Sequence, residues 1–318
     1  MEKTSAASIR KHKLKNDRFE LIVLPGFGCH WTNLRLKIQN KWHELLDPVL
    51  DYEALLAKKP SLGSYIMAPW SNRIAKAEFQ FEGKRYQLRE TFPDGTAIHG
   101  DVRHRPWQVR SATEKKFEAT LDSRKFSDFN YPFALTFKHS VELSDNRILV
   151  RFSIENVDKR RAPVGFGFHP FLKRRLTEKD SDVIVMLPAQ KVYPDEKCIP
   201  TGQAIPVSGR TDLRKEKLIG TPQLDHCYTA LTSDTIRIVY PGSKVEVDFK
   251  MDPIFKHVIV YAPNNPDGTP RNFVAVEPAT NVNSGFNLFS QGWQGTGVKV
   301  LEPGESWGGN WGIFAAEL

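Results

Sequence analysis

A side-chain period of two is the feature that most limits what this chain can become, because it suits a strand whose successive residues face opposite sides of a sheet. Phe133, Leu135, Phe137, Val141 and Leu143 lead to the polar turn Ser144-Asp145-Asn146, and Ile148, Val150, Phe152 and Ile154 return. Phe79 and Phe81 pass through Glu82-Gly83-Lys84-Arg85 to Tyr86 and Leu88. Ile236, Ile238 and Tyr240 pass through Pro241-Gly242-Ser243 to Val245, Val247 and Phe249. These connections are too short for the helical crossover that parallel strands require, so the pairing is antiparallel. Helical periodicity is confined to residues 42–46 and 52–57, neither long enough to build a layer. The expected fold is therefore all-β, a large antiparallel β-sandwich with a few short helices. Residues 263–270 and 290–297 read as surface loops, and no composition shift marks a linker. Residues 1–19 are expected as a frayed N-terminal segment and residues 20–318 as one domain.

Composition excludes several function classes. With 40% hydrophobic residues in 318, the chain can bury a sizeable core. The N-terminal residues lack the apolar centre of a secretory signal, and no stretch reaches the ~18–20 apolar residues needed to span a bilayer. A soluble cytoplasmic protein without a membrane partner is expected. Cys29, Cys198 and Cys227 are odd in number and far apart, which suggests reduced thiols and neither a disulfide framework nor a zinc site. The formal net charge is +8, but the basic residues are dispersed and their runs, such as residues 10–15 and 173–175, are not interleaved with aromatics. A nucleic-acid partner is not expected. A positive surface does suit an anionic substrate.

Three segments exceed what plain strands need: Ala68-Pro69-Trp70-Ser71-Asn72-Arg73-Ile74, Ile98-His99-Gly100 and Gly165-Phe166-Gly167-Phe168-His169-Pro170-Phe171. In the last, glycines let the backbone bend around a ring-shaped ligand and Pro170 holds His169 extended at a strand end. The run Phe273-Val274-Ala275-Val276 is apolar on both faces and then carries Glu277 before Pro278, which should stop the ladder. Such a carboxylate either reaches water at an edge or is a base whose pKa is raised by burial. Singly, each residue has a plainer reading. His169 reads as a β-edge histidine, Glu277 as a solvated strand end, Arg73 as half of a surface salt bridge and Asp225 as a turn cap.

Taken together and in order, the segments resemble the aldose 1-epimerase (galactose mutarotase-like) family. The resemblance rests on Pro69 with Asn72-Arg73-Ile74; His99-Gly100 with Trp107; His169-Pro170-Phe171-Leu172; Asp225-His226-Cys227-Tyr228; and Glu277-Pro278-Ala279-Thr280 with Asn287. It spans roughly residues 20–315, and five motifs in order are more specific than any one. The chain departs from the family at Gly26-Phe27-Gly28, where a Gly-Gly turn is usual, and after the histidine segment, which lacks an Asn-Leu pair. These departures bear on the substrate more than on the chemistry.

The resemblance implies the family's supersandwich fold and an isomerase that interconverts the anomers of a free aldose without cofactor or metal. It assigns Glu277 as general base toward the C1 hydroxyl and His169 as general acid toward the ring oxygen, with Arg73, His99 and Asp225 binding substrate. Chemistry agrees on the types: ring opening needs one base and one acid, and guanidinium, imidazole and carboxylate groups suit sugar hydroxyls. In the resting site Glu277 is expected ionised and His169 protonated, each favoured by the other's charge. Trp70 or Phe171 is a candidate to stack on a pyranose face. The alternatives are an epimerase of a hexose 6-phosphate or other anionic sugar, which the cluster Arg103-His104-Arg105 makes conceivable, and a non-catalytic carbohydrate-binding protein of the same fold. A monomer or homodimer is expected.

Overall fold

The structure, a computed structural model, describes residues 10–52, 54–55, 63–221 and 224–318. The hairpins read from alternation all form. Leu135–Ser144 pairs with Arg147–Asn156, Thr235–Tyr240 with Val245–Met251, and Glu78–Phe81 with Lys84–Gln87, all antiparallel. The last pair turns through Glu82 and Gly83, both at positive φ (49° and 73°), as a two-residue hairpin requires.

Two sheets of eight strands dominate. One runs in the order Gln108–Ala112, Lys116–Asp122, Leu135–Ser144, Arg147–Asn156, Ser306–Glu317, Val245–Met251, Thr235–Tyr240, Ile184–Met186. The other runs Ile205–Pro206, Ala189–Val192, Leu224–Leu231, His257–Ala262, Phe273–Ala279, Gly167–Phe168, Ile66–Met67, with Phe171–Lys173 also on Phe273–Ala279. Alternate residues of both sheets meet in one apolar core, where Phe152 packs on Phe166 with ring centroids 4.9 Å apart and Phe168 on Trp311 at 5.2 Å. Burial of these rings removes large apolar areas from water and holds the sheets face to face.

A four-stranded meander, His12–Lys15, Phe19–Leu24, His30–Ile38 and Lys41–Glu44, packs its apolar side into the same core. Two expectations are corrected here. The frayed segment does not extend to residue 19, since His12–Lys15 pairs with Phe19–Leu24; residues 1–9 lie outside the described residues. Residues 42–46 are not helical: Gln39 and Asn40 take positive φ, close a hairpin and draw Lys41–Glu44 onto His30–Ile38. Pairing with a ready strand outweighs a weak local helical pattern. Of residues 52–57, Tyr52, Ala54 and Leu55 are helical and the rest lie outside the described residues. A short helix, Gly285–Ser290, follows the Phe273–Ala279 strand. Among the described residues no helix is long and apolar enough to cross a membrane, and all three cysteines are buried free thiols.

Burial of imidazoles gives the fold an acid weakness. Burial is the main cause that holds His30 down at about 3 and His139 and His257 at about 4, so all three stay neutral in the folded chain. An unfolded histidine takes up its proton near pH 6.5, so from there down to about pH 4 the unfolded state binds more protons and stability falls with pH. Each group contributes up to about 1.4 kcal/mol per pH unit, less near pH 6.5 where the unfolded histidine is only half protonated, and three amount to roughly 6 kcal/mol between pH 6.5 and 4.5, a large share of an ordinary folding free energy. Urea unfolding midpoints should drop steeply between pH 6.5 and 4.5, and equal midpoints at pH 7 and pH 5 would contradict this account.

Candidate active site

The strand Phe273–Ala279 supplies the floor of the site. Val274 and Val276 enter the core between the sheets, so by the two-residue period Ala275 and Glu277 face the other way. Strand register carries that face sideways. Glu277 lies opposite Ile259 and Ile259 opposite Cys227, while Ala275 lies opposite Tyr261 and Tyr261 opposite Asp225. Glu277 and Asp225 therefore share one face with a single strand between theirs. Glu277 is not a strand end: pairing passes through Pro278 and resumes at Ala279, against His257 on one side and Gly167 on the other. The carboxylate is instead buried inside a central strand.

His169 lies between the short strands Gly167–Phe168 and Phe171–Lys173, both paired to Phe273–Ala279. Its Nε2 lies 3.1 Å from Oε1 of Glu277. The backbone N–H of His169 donates to the Tyr65 carbonyl (3.0 Å), and the ring stacks on Phe171 at 4.2 Å and contacts Tyr65 at 4.9 Å. Phe171 thus positions His169 and offers no free face to a sugar. Trp70 is also unsuited to stacking on one, being fully buried with its indole N–H donating to the Ala97 carbonyl (3.1 Å). The glycines before His169 have another purpose than bending. A Cβ on Gly165 would sit 2.1 Å from Asn281 Oδ1 and one on Gly167 2.7 Å from the Pro278 carbonyl oxygen, so their task is close approach to the Glu277 strand and its continuation.

Arg73 and His99 are brought together by a two-strand ribbon in which Arg73 pairs with Ile98. His99 stands at φ +61°, and Gly100, at φ +67°, brings its Cα so near the Ala68 carbonyl that a Cβ would lie 1.9 Å from the oxygen. The His99 ring meets His169 edge-on at 5.2 Å. Arg73 donates through Nε to Asp94 (3.0 Å) and through Nη1 to Asn72 Oδ1 (3.2 Å), and its backbone carbonyl accepts from Ser284, which follows the Glu277 strand. Asp225 accepts from the thiol of Cys198 (3.1 Å). The five residues singled out from sequence thus converge on one face. Tyr65, Cys198 and Arg103 join them and were not identified. Tyr65 and Cys198 carry no local signal, and Arg103 showed only as part of a basic cluster.

Among the described residues, Oε2 of Glu277 and Nδ1 of both His169 and His99 are buried without a hydrogen-bond partner. Such groups are costly to leave unsatisfied and mark where a polar ligand gains most. Burial pushes Glu277 well up, with Asp225 adding to the rise and Arg73 opposing it. Burial also pushes His169 down to about 3, with Arg103 adding to the fall. Both shifts run toward the uncharged forms, a carboxylic acid beside a neutral imidazole. Solvent loss on burial thus opposes the mutual attraction that favours the charged pair. The ion pair contains the same protons, one of them moved along the 3.1 Å contact. No three His, Cys, Asp or Glu side chains gather in a metal-holding group among the described residues.

Comparison with known proteins places this geometry in a lineage. The family model described as aldose 1-epimerase matches residues 10–313. The chain is 29% identical over 244 residues to the uncharacterised protein YihR of Escherichia coli, covering 76% of this chain and 75% of that one. It is 25% identical over 225 residues to human galactose mutarotase, covering 68% of this chain and 64% of the human protein, just under two thirds of its length. The fold matches a galactose mutarotase-like protein from Clostridium acetobutylicum with TM-score 0.86, at 19% identity over 100% of this chain and 98% of that one. It also matches an aldose epimerase homologue from C. elegans with TM-score 0.83, at 16% identity over 97% and 99%. The chain belongs to the aldose 1-epimerase family.

Proposed function

We propose that the protein interconverts the α and β anomers of an aldose, with Glu277 as base and His169 as acid. The observation that supports this most is the buried 3.1 Å contact between His169 Nε2 and Glu277 Oε1, on a face shared with Arg73, His99 and Asp225. In the reactive form the pair is carboxylate and imidazolium. Glu277 takes the proton of the C1 hydroxyl, His169 gives its proton to the ring oxygen, and the bond between C1 and that oxygen breaks to leave an open-chain aldehyde. Rotation about C1–C2 and the reverse transfers close the other anomer. After ring opening the pair is neutral, the state that burial favours. A carboxylate with a raised pKa is a stronger base and an imidazolium with a depressed pKa a stronger acid, so burial strengthens both transfers. Arg73, His99 and Asp225 hold sugar hydroxyls, with Asp94 and Cys198 fixing the orientation of two of them.

Two predictions follow from these roles. Polarimetry of freshly dissolved α-anomers should show Glu277→Gln and His169→Asn folded but slower in kcat by at least ~10²-fold each, because each lacks one proton transfer. Arg73→Ala should mainly raise KM. Retention of more than about a tenth of kcat by either catalytic variant would remove that residue from its role.

The second concerns pH. The charged and neutral pairs hold the same protons, so activity changes only when the pair gains or loses one. Loss is resisted by the raised Glu277 and gain by the lowered His169. As long as the chain stays folded, kcat should stay flat through pH 6.5 and fall only at higher pH. An alkaline limb centred near the ordinary imidazole value of about 6.5 would show that His169 titrates unperturbed and overturn the buried-pair mechanism.

A further inference from the structure

Arg103 is a cation that this mechanism leaves unused. Its half-buried guanidinium lies over the ring of Tyr65, 5.5 Å from the centroid, and Tyr65 in turn touches both His169 and His99. Other arginines near the site are neutralised. Arg73 is paired with Asp94, and Arg105, two residues on, with Asp101 and Asp128. Among the described residues no carboxylate pairs with Arg103. Its place is fixed by the N-terminal loop, where Gly28 passes so close that a Cβ would fall 1.8 Å from the Arg103 carbonyl oxygen. That loop is the Gly26-Phe27-Gly28 segment in which the chain departs from its family. Phe27 contacts the rings of His30 and His104 at 4.8 and 5.1 Å.

Position tells which part of a substrate would meet this cation. Glu277 meets His169 at 3.1 Å, the His169 ring meets Tyr65 at 4.9 Å between centroids, and the Arg103 guanidinium lies over the Tyr65 ring. Along the site the order is thus Glu277, His169, Tyr65, Arg103. In a pyranose the ring oxygen is bonded to C1 on one side and C5 on the other. With Glu277 at the C1 hydroxyl and His169 at the ring oxygen, the side of His169 remote from Glu277 faces C5 and its substituent, C6. A neutral hydroxymethyl group there would leave a half-buried guanidinium without a counter-charge, while an anion would form charge-assisted bonds to it.

Resting on the proposed function, we infer that the substrate is an aldose with an anionic group at C6, a phosphate ester, sulfonate or carboxylate, and that Arg103 binds that group. The test is kcat/KM for the wild-type protein on freshly prepared single anomers of glucose, glucose 6-phosphate, 6-deoxy-6-sulfoglucose and glucuronate, with the buffer rate subtracted. One of the charged sugars should exceed glucose by about tenfold or more, an advantage that shrinks with added salt, and the panel identifies which anion fits. Arg103→Gln should cut that ratio by about tenfold, chiefly through KM, and Arg103→Lys should restore part of it. Glucose turned over as well as every charged sugar would overturn the inference while leaving the proposed reaction intact, as would an unchanged ratio in folded Arg103→Gln. If Arg103→Gln does not fold, the wild-type panel decides alone. Acceleration of none of the four sugars would overturn this inference, and acceleration of no other freshly dissolved α-aldose either would overturn the proposed reaction with it.

Discussion

The site depends on the burial of one carboxylate in a strand that is covered on both faces. Glu277 occupies a central position of Phe273–Ala279, with the core of Val274 and Val276 behind it and His169 in front. A charge there loses its water on every side, so the surroundings must supply a partner or a proton. His169 supplies one. The need for that contact explains the local sequence: Gly165 and Gly167 bring the histidine segment against the Glu277 strand, and Phe171 and Tyr65 hold the ring.

The same burial gives the pair its proposed chemistry. Exposed to water, a carboxylate would be a weak base and an imidazolium a weak acid, and the transfers to and from a sugar would be poorly driven. Lifting Glu277 and lowering His169 makes each transfer lead toward the neutral pair. Hydrogen bonds around the rim then serve position more than charge. Asp94 holds Arg73, Cys198 holds Asp225, and Ser284 ties the segment after the Glu277 strand to Arg73. The unpartnered atoms of Glu277, His169 and His99 are concentrated where these elements meet.

Legibility followed the range of the forces involved. The hairpins at Ser144-Asp145-Asn146 and Pro241-Gly242-Ser243 could be read because alternation and turn chemistry act over a few residues. The residues of the candidate site were legible as well, though through a familiar order of motifs, since Asp225 or Arg73 alone looks like any solvated side chain. Local reasoning failed where a distant neighbour decided the outcome. Lys41–Glu44 became a strand because His30–Ile38 was there to pair with it, and Trp70 became core because Ala97 and Tyr131 enclose it. Pro278 did not end the ladder, for the strands on either side still meet Ala279.

By itself the sequence determined an antiparallel all-β chain, its main hairpins and the identities of the groups able to do acid–base work, because periodicity and side-chain chemistry are written residue by residue. Only the tertiary structure decided that Glu277 and His169 are 3.1 Å apart, that burial drives both toward their neutral forms, and that Arg103 lies over Tyr65 with no carboxylate partner among the described residues while Arg105 is paired with Asp101. Those facts are differences in solvation and distance between segments a hundred residues apart in the chain, and neither quantity exists until the sheets have packed.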